Sequence, residues 1–331
     1  MAVTNGWGQA TQNNTNGFGK YQNTIDAGSV YADSYAGETS LVGTSASFSY
    51  SASSFHQDEA DPTPTITGTA GGTFSATPSG LSINSSTGTI DLDNSTIQSY
   101  TITYTVSGVS SSQSLAVTAS PFIANTYSMD FDAASSQYID AGQTTFITST
   151  NPFTISLWFN ADSLSNGSLI YLKNDLSRAF FIQVLSTGNV NFRSRYDSAW
   201  ISGKTANGSI STGSWINYAL VYNGSGSTTL GNFTAFLNGS PSTLEAGSTS
   251  AHQYTNVGNF IGRAAKAGVG SNYFDGKIDE VAIWNTALSS DAVQEIYNAT
   301  ANNTGKALDL STNTGNYTNS SSLQYWNRLG D

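Results

Sequence analysis

The 331 residues contain no cysteine, which removes disulfides, thiol nucleophiles and thiolate metal sites together. Small extracellular β domains of eukaryotes usually carry disulfides, so this absence points to a bacterial or bacterial-virus origin. Charge is scarce as well. Only 10% of residues are Asp, Glu, Lys or Arg, and the formal net charge is −11. Between Lys20 and Lys173 there is not one Lys or Arg. Nucleic-acid binding is therefore excluded as an expectation, because phosphate neutralisation needs clustered cations. No window holds the ~18 apolar residues that a membrane helix requires, so membrane insertion is not expected either. The opening Met1-Ala-Val-Thr-Asn-Gly-Trp-Gly8 has neither a cationic start nor an apolar run, and it reads as lacking a secretory signal.

The chain does hold 38% hydrophobic residues, ample for real cores, amid Ser, Thr, Asn and Gly. That profile fits β-rich proteins whose solubility rests on hydroxyls and amides. At this length two or three domains are expected. Residues 1–43 open with a repeat, Thr4-Asn-Gly-Trp-Gly-Gln9 and Thr15-Asn-Gly-Phe-Gly-Lys20. Two such units cannot bury their own rings, so Trp7 and Phe18 read as docking anchors that need a partner surface.

Residues 44–120 read as a small β unit. Tyr100, Ile102, Tyr104 and Val106 alternate with Thr101, Thr103 and Thr105, a strand with one buried face. The run Gly80-Leu-Ser-Ile-Asn-Ser-Ser-Thr-Gly-Thr-Ile90 resembles a signature of bacterial immunoglobulin-like or cadherin-like modules. The resemblance implies a small β-sandwich acting as a spacer.

The longest patterned stretch is 121–300. Phe153, Ile155, Leu157 and Phe159 alternate with Thr154, Ser156, Trp158 and Asn160. Further runs at Ser168–Lys173, Ala179–Leu185, Val190–Tyr196, Trp215–Tyr222, Asn232–Leu237 and Asn259–Gly262 are separated by turn signals, including Asn-Gly pairs. A helix is expected after Leu288, with Asp291 and Gln294 spaced as in a capping box. An all-β chain follows, built round a two-sheet antiparallel sandwich. Ser128-Met-Asp-Phe-Asp132, Phe153-Thr-Ile-Ser-Leu-Trp158 and Trp215-Ile-Asn-Tyr-Ala-Leu-Val-Tyr222 resemble strands of laminin G-like, concanavalin A-like lectin/glucanase domains. So do Phe233-Thr-Ala-Phe-Leu-Asn-Gly239 and Phe274–Leu288, in family order. The resemblance implies a jelly roll. It leaves the ligand open, since the superfamily spans lectins, adhesion modules, glycosidases and spacers. Residues 301–331 read as a tail or as the start of a further strand.

Glycosidases on this fold present paired carboxylates on one face of a strand. Asp279 and Glu280 are consecutive and are expected on opposite faces, so a non-enzymatic role is expected. By resemblance, Asp132 and Asp279 are candidate calcium ligands, calcium preferring carboxylate and carbonyl oxygens. Trp158, Tyr196, Trp200 and Tyr254 are candidate glycan platforms, rings near amides and acids. The Gly-aromatic-Gly repeat is similar to the leader of tail-fibre and head-decorating proteins of marine bacteriophages. That resemblance implies a virion surface protein, made in the host cytoplasm and present in many copies or as a homo-oligomer. Its partners would be capsid or tail proteins and host cell-surface glycans. A bacterial cell-surface adhesin or a carbohydrate-binding accessory module of an enzyme is the alternative reading.

Overall fold

The computed structural model describes residues 43–148, 150–173, 178–196, 199–224, 229–249, 258–266 and 269–331. Contacts divide the chain between Ala119 and Ser120. The docking residues Trp7 and Phe18 lie outside the described residues.

In the first unit the alternating strand Gln98–Val106 forms a hairpin with Val109–Thr118, and Thr73–Thr77 pairs on its other side. Tyr100, Ile102, Tyr104 and Val106 are buried, as their two-residue period requires. Ser54–His56 joins Val109–Thr118 in parallel, which completes a four-stranded sheet. Phe48 of the pair Phe48–Ser49 and Thr65–Ile66 meets Phe74 edge-on at 5.4 Å, and Phe74 lies 4.6 Å from Tyr104. The buried Tyr104 hydroxyl donates to the Thr69 carbonyl at 2.8 Å, so a polar group in the core is satisfied.

The second unit is a sandwich of two seven-stranded sheets. The first sheet runs Met129–Phe131, Gly276–Trp284, Phe153–Ala161, Trp215–Tyr222, Phe233–Leu237 and Ser240–Ser242, with Leu323–Asn327 also pairing Gly276–Trp284. The second runs Ile139–Asp140, Gly258–Ile261, Ser168–Lys173, Arg178–Leu185, Asn189–Tyr196, Ala199–Lys204 and Glu245–Thr249. Between them lie Phe153, Ile155, Leu157 and Phe159 with Tyr218, Leu220, Phe180, Ile182 and Phe192, all buried. Truncating one of these phenylalanines to alanine would cost about 3–5 kcal/mol, a sizeable part of a domain's stability.

The helix Ser290–Ala301 lies on the outer face of the first sheet. Its cap is Ser289, whose Oγ accepts from the Ala292 amide at 3.1 Å, rather than the expected Asp291 and Gln294 box. Ala292, Val293, Ile296 and Ala299 bury against Ala219, Val221, Phe236, Ala282 and Trp284. The fit is close at Gly239, where a Cβ would stand 2.6 Å from the Tyr297 ring.

Residues 301–331 are part of this sandwich, not a separate tail. Lys306–Leu308 pairs with Phe122–Ala124, and Leu323–Asn327 pairs with Val281–Trp284. The edge of Gly276–Trp284 is thereby completed twice, by Met129–Phe131 over its first half and by Leu323–Asn327 over its second. An open edge of that length would invite pairing with another chain.

Between those halves sits a bulge. Ser156 faces Ala282 and Trp158 faces Asp279, so Leu157 opposes both Glu280 and Val281. Glu280 has φ of 49°, in the left-handed region that non-glycine residues rarely enter. The extra residue lets Ile278 and Val281 both enter the core. Asp279 and Glu280 consequently share the outer face, contrary to the expectation that consecutive residues point apart. Trp326 Nε1 donates to Glu280 at 2.7 Å, and Arg328 Nε stands 3.3 Å from the same carboxylate. Asp279 Oδ1 accepts the Glu280 amide at 2.7 Å. Burial, followed by the neighbouring Glu280 carboxylate, pushes the Asp279 carboxyl up to about 7.

A carboxyl raised on folding binds its proton more tightly in the folded state than in the unfolded one. Its contribution to stability is therefore complete at acid pH and is lost as pH rises from about 4 to about 7. Asp279→Asn removes that slope. Chemical denaturation should show the variant more stable than the wild type at pH 8 by on the order of 2 kcal/mol, with the gap closing toward pH 4.

Candidate functional site

The outer face of the second sheet follows from strand alternation. Phe180, Ile182 and Val184 enter the core, which turns Phe181 and Gln183 outward. Ile170 and Leu172 do the same for Tyr171 and Lys173, and Val190 and Phe192 for Asn191 and Arg193. Pairing then aligns Phe260, Tyr171, Phe181, Arg193 and Ser202 across five strands in one transverse row. Tyr171 stacks on Phe260 at 6.2 Å and meets Phe181 edge-on at 6.2 Å.

Cations lie on these rings. The Arg193 guanidinium is 4.3 Å from the centre of the Trp200 ring, which is 39% exposed. Arg263 lies 4.3 Å over Tyr138, itself 42% exposed, and 5.2 Å from Phe260. Lys173 stands 5.0 Å over Phe260. The buried Nε atoms of Arg193 and Arg263 find no acceptor among the described residues. Desolvation lowers the Arg193 pKa, the cost of a cation partly withdrawn from water. Such an arrangement is short of anionic oxygen. A guanidinium held over an indole can still offer its fork of donors to a carboxylate or sulfate.

Of the four sequence-predicted glycan residues, Trp200 belongs to this face. The side chain of Tyr196 and the whole of Tyr254 lie outside the described residues. Trp158 lies on the other side of the sandwich, 9% exposed and stacked on Tyr297 of the helix at 5.5 Å and 16°. It packs against protein, so most of its ring is unavailable as a platform. Tyr138, Tyr171, Phe181, Phe260 and Arg263 were missed. Alternation alone marks Tyr171 and Phe181 as outward rings once the core face of each strand is fixed.

The carboxylates proposed for calcium serve other partners. Asp132 accepts from the Ala134 amide at 2.8 Å and from the Ser135 hydroxyl at 2.5 Å, and these bonds hold its pKa below the usual carboxylate range. Asp279 closes the bulge. No group of three or more His, Asp or Glu side chains among the described residues is placed to hold a metal ion. Register puts Phe131 opposite Gly276 and Met129 opposite Ile278, so Asp132 and Asp279 stand beyond opposite ends of that pairing, about four residues or ~13 Å apart along the strands.

A family model described as the concanavalin A-like lectin/glucanases superfamily matches residues 132–294. No curated protein matches the sequence significantly. Among solved structures, a putative carbohydrate binding protein from Bacteroides ovatus is similar at 13% identity, with 83% of this chain and 86% of that chain covered and a TM-score of 0.49. The CBM40 module of the Ruminococcus gnavus IT-sialidase, bound to α2,3-sialyllactose, is similar at 16% identity over 49% of this chain and 96% of that one, TM-score 0.37. The heptameric SAP-like pentraxin from Limulus polyphemus is similar at 19% identity over 53% and 79%, TM-score 0.36. The family match at residues 132–294 falls within the sandwich that runs from Ser120 to Asp331.

Proposed function

We propose that the second unit is a non-catalytic binding module that holds acidic glycans on the outer face of its second sheet. The observation that carries this reading is the Arg193–Trp200 stack, a partly exposed indole beside a guanidinium whose buried Nε finds no acceptor among the described residues. An indole takes the apolar face of a sugar ring, and the fork beside it takes a carboxylate or sulfate. Charge distribution supports the same ligand. Seven of the eleven Lys and Arg residues fall between Lys173 and Lys266, in a chain of net charge −11.

Carboxylate spacing favours binding over hydrolysis. The described carboxylates flanking this face are Asp140 and Glu245, on the two edge strands. Six strand spacings of ~4.8 Å put them roughly 29 Å apart, whereas glycosidase pairs need about 5–9.5 Å. On the opposite face Glu280 is occupied by Trp326 and Arg328.

We further infer display on a bacteriophage virion, with the N-terminal segment docking on capsid or tail protein. The support is sequence alone: the Gly-flanked Trp7 and Phe18 and a leading half almost free of cations. Many copies would raise avidity well above single-site affinity.

Titration of the full chain with oligogalacturonate, chondroitin sulfate oligosaccharide and sialyllactose tests the binding claim. At least one should bind, more weakly as salt rises, and Arg193→Ala or Trp200→Ala should each reduce affinity about tenfold or more. Absence of binding at millimolar ligand, or unchanged affinity in both variants, contradicts it. Deleting residues 1–25 should abolish incorporation into particles without changing glycan affinity.

A further inference from the structure

The helix Ser290–Ala301 covers only part of the first sheet's outer face, and the sheet end it leaves bare is a cleft of about 530 Å³. That size falls in the range of small-molecule sites. Strand register supplies its floor. One row across the sheet runs Asp279, Trp158, Asn217, and the next runs Lys277, Asn160, Trp215. Trp158 and Tyr297, stacked on one another, form a wall. Trp215 is 40% exposed on the opposite side, and Tyr127, 67% exposed, lines the cleft from the N-terminal segment of the unit.

The electrostatics differ from those of the second sheet. The one cation lining the cleft among the described residues, Lys277, stands 3.2 Å from the Asp130 carboxylate and is already neutralised. Asp279 is tied to the Glu280 amide. Asn238 accepts the Asn217 amide at 2.9 Å through Oδ1, which leaves its Nδ2 as a donor at the rim. Ser128 and Thr300 add hydroxyls to the lining, while the Thr126 hydroxyl already donates to Asp331 at 2.9 Å. An exposed indole, an amide donor and hydroxyls with no unpaired cation suit a ligand that is flat, apolar on one side, rich in hydroxyls and uncharged.

We propose that this cleft is a second ligand site, specific for a neutral pyranose residue stacked on Trp215. The module would then hold an acidic and a neutral glycan on the two outer faces of one sandwich. This proposal does not depend on the acidic-glycan reading.

The test is calorimetric titration of the full chain with neutral hexasaccharides of glucose, mannose, galactose and xylose. At least one should bind the wild type and Trp200→Ala alike. Trp215→Ala should weaken that binding about tenfold or more, and Trp215→Phe should restore most of it. Trp215 is well exposed, so circular dichroism should report an intact fold in both variants. Binding of acidic oligosaccharides should be untouched by Trp215→Ala, which separates failure here from failure of the first site. Absence of binding by every neutral hexasaccharide at millimolar concentration overturns the proposal. So does binding that Trp215→Ala leaves intact or that Trp200→Ala abolishes.

Discussion

Two sheets that share one core leave two outer faces, and the described residues of the second unit offer a single α-helix with which to cover them. That constraint governs the molecule. Phe153, Ile155, Leu157 and Phe159 commit one side of the first sheet to the interior, and Phe180, Ile182 and Phe192 commit one side of the second. The helix and the returning C-terminal segment then bury Ala219, Val221, Phe236, Ala282 and Trp284 on the first sheet's far side. Trp284 and Tyr317 meet there through a 2.9 Å hydrogen bond. Among the described residues, the second sheet's far side has no helix laid on it. It carries rings and guanidinium groups instead. Tyr171 there is buried with Ala179 and Ala264, while Trp200 and Tyr138 are the rings left exposed, and exposed aromatic groups beside cations suit an interaction site.

The bulge at Glu280 solves a local form of the same problem. A strand with two consecutive carboxylates would drive one of them into the core, where an unpaired charge is expensive. An inserted residue at positive φ turns both outward. Glu280 is then stabilised by Trp326 and Arg328, which brings the last strand onto the sheet edge. Arg328 also donates to the Ala124 carbonyl, and Asp331 accepts from the Thr126 amide at 2.9 Å, so the chain's end is tied to the start of the unit.

Much of this architecture is legible in the sequence, because burial on one face imposes a period of two. The strands Phe153–Ala161, Ser168–Lys173 and Trp215–Tyr222 are plain from their alternation. Asn166 and Asn238, each followed by glycine, mark turns, and both residues adopt positive φ. Other features leave weaker traces. Ala199–Lys204 does not stand out among the alternating runs because Ile201 is its one large core residue. The bulge is invisible, since no glycine announces positive φ at Glu280. The C-terminal segment reads as a tail or a further strand, but its partner lies more than forty residues upstream, and pairing over that distance has no local signature.

The site divides along the same line. Trp200 was legible as a ring beside an acid and arginines. Its bracing by Arg193, and the assembly of Tyr138, Phe260 and Arg263, depend on cross-strand register that the sequence does not print. Trp158 shows that a ring opposite the core face is open only where nothing else covers it: Tyr297 covers one side, and only its remaining edge lines the cleft.

The central claim is that the second sheet's outer face binds acidic sugar through a braced indole. An amide and indole NMR spectrum of the full chain, titrated with an acidic oligosaccharide, tests it most directly. The account requires the Trp200 indole N–H resonance to shift together with the Arg193 and Phe181 amides, while the buried Trp284 indole stays fixed. Saturable binding that leaves Trp200 unmoved would contradict it.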